Sequence, residues 1–351
     1  MKKSLLVTLL VTILLCIIGF NQTVITNSTY TEGTSALSQS YTISAPMDIN
    51  SNSDFATEGW SGSGIIGDPY LIESLEFNDT INGACISISS TTAFFRIVNC
   101  LFSPAALGNA LEFNNVHNGL ISDCSTTSTA SLINVYGSTT IEIRDCMLSG
   151  TCAVFENSAD CNISSCSIEG APGDGIYLVN CDNIRIGECT ISNNAASGIS
   201  LQITDNTLIV NNVIRDNSLE QISITGSSSG NRIYNNEIHV GTMTGALDNG
   251  EDNYWDDSVS IGNLWSDYDG SGTYEISGTA NSIDHFPRDT STPLTPTTNT
   301  TGTTSTTLQP GEVSVTSWAP MDLTIRIALV VAIGVSYGVL VILAIKYFIL
   351  K

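Results

Sequence analysis

The chain has 351 residues, a formal net charge of −23 and a pI of about 4.1. Residues 21–320 hold six arginines, no lysine and 33 acidic residues, a net of −27. This excludes nucleic acid as a partner, because phosphate binding needs a cationic surface; halophilic adaptation and cation binding would each produce such an acidic exterior.

In chain order, Met1-Lys2-Lys3 precedes an apolar run from Leu5 to Phe20, the pattern of a secretory signal. Residues 1–25 are expected to be a signal peptide or signal anchor and 26–42 a linker. Between Arg96 and Ile238 one short phrase repeats seven times, each copy placing an isoleucine three residues before a Cys or Asn. The isoleucines are Ile97, Ile121, Ile143, Ile163, Ile186, Ile209 and Ile233; their partners are Cys100, Cys124, Cys146, Cys166, Cys189, Asn212 and Asn236. Successive partners lie 24, 22, 20, 23, 23 and 24 residues apart. Two positions further on runs a mostly apolar row from Phe102 to Ile238.

Each repeat also carries an upstream alternating stretch, such as Gly175–Val179, Gly198–Ile203 and Gln221–Ile224, which has the period of a strand. Asn-, Asp-, Ser- and Gly-rich turns separate the stretches, and no capped 3.6-residue period competes with them. A period of this length with strand-like units predicts a solenoid, each coil burying its face against its neighbours. The fold class expected is all-β: a right-handed, single-stranded parallel β-helix of about seven to nine coils over residues 43–247, plus one C-terminal transmembrane helix. Stacked coils turn the Cys/Asn row into an internal ladder. Asn suits a bend because its amide bonds to the next coil, and Cys because it is small and content to be buried. The five aligned cysteines lack the C-x₂-C pairing of metal sites, which favours packing over metal or redox chemistry.

Residues 248–290 are expected to cap the rod with aromatic and acidic loops, and Phe55 and Trp60 offer similar cover at the other end. Residues 291–320 form a Thr/Pro-rich stretch that cannot bury a core and reads as an extended glycosylated stalk. The uncharged run from Ile327 to Ile345 predicts a membrane span over 325–346, with 347–351 as a cytoplasmic tail. Asn21, Asn27, Asn78, Asn162 and Asn299 sit in N-x-Ser/Thr sequons.

The repeat resembles the PbH1 type of right-handed, pectin-lyase-like β-helices, and in particular the NosD-like group of archaeal and bacterial surface and periplasmic proteins. Gly67-Asp68-Pro69-Tyr70-Leu71-Ile72-Glu73 is similar to the phrase that opens the helix in that group. Asn253-Tyr254-Trp255 and Gly262-Asn263-Leu264-Trp265-Ser266-Asp267-Tyr268 resemble those that close it. The resemblance covers about residues 43–289 and implies fold rather than activity, since the fold hosts many functions. Copper delivery is not expected, because His117, His239 and His285 are scattered and methionines are few.

Three constellations could carry chemistry. Asp267, Asp269 and Ser271 match the first half of a calcium loop, although Gly278 replaces the bidentate twelfth ligand; the alternative is a surface turn. Tyr254, Trp255, Asp256, Trp265 and Tyr268 combine rings and carboxylates in the manner of a sugar site, or else close the end of the core. Asp123 and Asp145 fall on adjacent coils and are the best acid–base pair for a polysaccharide lyase or glycoside hydrolase, against a reading as solvated turn positions. The function expected is recognition or scaffolding at the cell surface, with a glycan or cell-surface polysaccharide as favoured partner and calcium as the candidate cofactor. A polysaccharide-degrading enzyme and a purely structural protein with envelope partners are the alternatives. The expected location is the cell membrane, single-pass, with the β-helix outside.

Overall fold

A computed structural model of the chain describes residues 41–104, 108–241 and 243–290. The expected signal at 1–25, most of the linker, the stalk and the span at 325–346 lie outside the described residues. Among the described residues no helix is long and apolar enough to cross a membrane.

Twenty-four strands form one sheet whose long-range pairings are parallel, each strand meeting partners about one repeat away, which is the wiring of a β-solenoid. A separate antiparallel hairpin joins Tyr274–Glu275 to Ile283–Asp284 beyond the last coil.

The register runs straight through the repeat. Ile72, Ile97, Ile121, Ile143, Ile163, Ile186, Ile209 and Ile233 stack one above another, all buried, and mark about eight turns. At about 4.8 Å per coil these residues span roughly 34 Å. The second row, Phe77, Phe102, Thr126, Leu148, Ile168, Ile191, Ile214, Ile238 and Trp265, is continuous in the same way. Thr126 fits among apolar neighbours because its hydroxyl donates to the Ser149 carbonyl at 3.2 Å and accepts from the Thr151 hydroxyl at 2.8 Å. The upstream stretches form the third side, as Ile176–Val179, Ile199–Gln202 and Ile222–Thr225.

The corners explain the recurring Asn and Asp. Ser74, Asn99, Asp123, Asp145, Ser165, Glu188, Asn211 and Asn235 all take φ between 53° and 62°. Asn and Asp tolerate this left-handed region better than other side chains. A second corner row contains Asn157, Asn180 and Ile203, where a β-branched residue sits at φ 51°.

One element departs from the all-β expectation: a short helix, Asn52–Thr57, at the N-terminal end. It carries Phe55 over the open core, where the ring stacks on Tyr70 at 4.7 Å and on Phe95 at 5.5 Å. A solenoid end must be covered, and this turn of helix covers it.

Candidate functional site

The internal ladder positions the C-terminal cluster. Above Cys189 the ladder continues as amides: Asn212 Nδ2 donates to Asn236 Oδ1, and Asn236 Nδ2 to Asn263 Oδ1, both at 2.9 Å. The chain of amides ends on the buried carboxylate of Asp284, which accepts the Asn263 backbone N–H at 2.7 Å and the Trp265 indole N–H at 3.0 Å. A second amide chain, Asn231 to Asn253, ends in the same way on Asp248, which accepts the Trp255 indole N–H at 2.9 Å. Burial raises the Asp284 carboxyl above its usual range, against the pull of these donors.

This geometry decides what the cluster offers. Trp255 and Trp265 are 1% and 0% exposed, so neither ring can present a face to a sugar. Tyr274 stacks on Trp265 at 4.1 Å and completes the seal. Of the other sequence-predicted ligand residues, Tyr254 is 46% exposed and faces the Arg232 guanidinium, 5.5 Å from the ring centre. Asp256 is buried and accepts a hydrogen bond from His285 Nδ1 at 2.9 Å. Tyr268 is half-buried and donates to the Gly272 carbonyl at 2.6 Å.

In the expected calcium loop, Asp267 accepts the Tyr274 hydroxyl at 3.1 Å and Asp269 accepts the Ser271 N–H at 2.9 Å. Among the described residues no group of three or more His, Cys, Asp or Glu is placed to hold a metal. Asp123 and Asp145 do stack on adjacent coils, at exposed corner positions, and Asp145 pairs with Arg144 at 2.8 Å.

The cysteines of the described coils are free and buried. Contact with the neighbouring thiols first and burial second push Cys100 and Cys146 well above the ordinary range. Burial, followed by the charge of Asp174, pushes Cys152 up to about 12.

A different feature sets polar side chains beside apolar walls. The position before each ladder isoleucine points outward, forming the row Leu71, Arg96, Leu120, Glu142, Asn162, Arg185, Leu208 and Arg232. Over the first coils this row floors a groove of about 310 Å³. Ile66, Pro69, Phe94 and Leu120 give it apolar walls; Arg96, Glu142, Asp160 and Asn162 give it polar groups. The buried Arg96 Nε and Asn162 Oδ1 have no hydrogen-bond partner. Gly119 leaves room for the Phe95 ring, which a Cβ would meet at 2.5 Å. Arg96, Arg185 and Arg232 share one repeat position in the sequence, with Arg96 far along the rod from the other two; the groove over that column shows only in the fold.

The family model described as "Periplasmic copper-binding protein (NosD)" matches residues 103–270. No curated protein matches the chain. Among solved structures, a double mutant of the periplasmic alginate epimerase AlgG is 13% identical, with 61% of this chain and 63% of that chain covered and a TM-score of 0.42. The match thus spans under two thirds of that epimerase. DFA-IIIase from Arthrobacter chlorophenolicus A6, in complex with DFA-III, is 12% identical over 60% of this chain and 63% of that one, with a TM-score of 0.42. ORF18 of Geobacillus virus E2 is 11% identical over 68% and 56%, with a TM-score of 0.43. The NosD resemblance read from the repeat is therefore met by the family model over residues 103–270, the stretch wound here as a parallel β-solenoid.

Proposed function

We propose that this chain is a right-handed β-helix held outside the cell on a single membrane span, and that it recognises a saccharide along the groove over its first coils. The observation that carries the reading is the groove's mixed lining, in which Ile66, Pro69, Phe94 and Leu120 stand beside the polar side chains of Arg96, Glu142, Asp160 and Asn162. Apolar walls beside such groups suit a sugar, whose C–H faces and hydroxyls need both. The Trp rings of the cap act as a core closure, and the surface Tyr254 is left as a secondary contact.

The test is to incubate the full-length chain, in mild detergent, with neutral and acidic polysaccharides and to record bound protein and released fragments by mass spectrometry. Retention without fragments supports recognition. Fragments would make the chain a polysaccharide-degrading enzyme, and absence of binding would favour a structural role.

A further inference from the structure

Among the described residues, five arginines are engaged. Arg144, Arg185 and Arg215 pair with Asp145, Glu188 and Asp216 at 2.8, 3.4 and 2.8 Å. Arg232 lies over Tyr254, and Arg288 donates to the Gly262 carbonyl at 3.2 Å. Arg96 has no such partner, although it belongs to a chain with a net charge of −23 and acidic residues in excess. In the groove it lies beside the apolar side chains of Phe94 and Leu120, which strengthen a charge-assisted bond to an anion placed there relative to one in open water.

The other end of the groove has the opposite character. Glu142 shares Arg144 with Asp145, at 3.3 and 2.8 Å, so two carboxylates face one guanidinium and the group stays net negative. Asp160 accepts an amide hydrogen from Asn183 at 2.6 Å, and the Asn162 amide side chain lies beside it in the lining. This end accepts hydroxyl or amide protons and repels a carboxylate. Arg96 and Asn162 are three coils apart in the row, about 14 Å at 4.8 Å per coil, roughly the length of three linked sugar rings.

We infer, resting on the saccharide reading above, that the groove takes an oligosaccharide with one acidic unit held at Arg96 and neutral units running towards Asn162, and that it turns away uniformly charged polyuronates. The experiment is a calorimetric titration of the full-length chain with three probes: xylotetraose, a xylotriose carrying one glucuronate, and trigalacturonate. The singly acidic probe should bind about tenfold tighter than either of the others. Arg96→Gln should bring it down to the level of xylotetraose, while Arg96→Lys, which keeps the charge, should retain part of the preference. Glu142→Gln combined with Asp160→Asn should raise trigalacturonate binding. Circular dichroism checks that each variant keeps its β signal. Equal binding of neutral and acidic probes, or a preference unchanged by Arg96→Gln, overturns the inference and leaves the saccharide reading standing. Failure of all three probes to bind overturns both.

Discussion

At the C-terminal end of the rod, Trp255 and Trp265 bury their rings and donate both indole N–H groups to Asp248 and Asp284. Over the first coils, Arg96 and Asn162 bury polar atoms that nothing among the described residues satisfies. The first region has the residue types of a sugar site and uses them to close a core. The second has an ordinary composition and lines an open groove with apolar and polar side chains together. Residue type alone does not tell the two regions apart, whereas burial of the rings does.

The largest effect is expected at the cap. Trp265→Ala should destabilise the protein by about 3–5 kcal/mol, read from denaturant unfolding, because it opens a cavity and strands the end of an amide chain. Saccharide binding at the distant groove should survive wherever the variant is folded. Asn236→Leu should cost about 2–3 kcal/mol, since Asn212 and Asn263 each lose a buried partner. Ile203→Asn should do the reverse, adding about 1 kcal/mol by relieving a β-branched residue in the left-handed region.

Smaller effects concern titration and thiol access. Asp284 carries a carboxyl pKa raised by burial, so its ionised form is penalised in the fold. That penalty is present above the folded pKa and is relieved as pH falls through it towards the unfolded value of about 3.9. The stability of the native chain relative to Asp284→Asn should therefore improve on acidification across that window, measured by thermal unfolding at a series of pH values. The buried cysteines should not react with a thiol reagent until the protein unfolds.

Much of the fold is legible in the sequence because a solenoid repeats its constraints. The isoleucine row and the Cys/Asn ladder recur at the coil period, and stacking places them in register. The helix at Asn52–Thr57 is not legible, since it occurs once and answers the need to seat Phe55 over the core rather than any period. The groove is only half legible. Arg96 and Asn162 are visible as residues, but the lack of partners around them depends on which side chains the coils bring alongside. Asp123 and Asp145 share their row with Asn and Ser, and the left-handed corner there is a backbone requirement that by itself accounts for those residue types.

The most direct test sets the two regions against each other in one assay. Binding of the singly acidic xylotriose would be measured by calorimetry for the native chain, for Arg96→Gln and for Tyr254→Ala combined with Tyr268→Ala. An about tenfold weakening in Arg96→Gln, to the level of xylotetraose, with near-native affinity in the tyrosine pair, is the result expected. Loss in the tyrosine pair with Arg96→Gln unaffected would return the site to the cap and contradict the assignment to the groove.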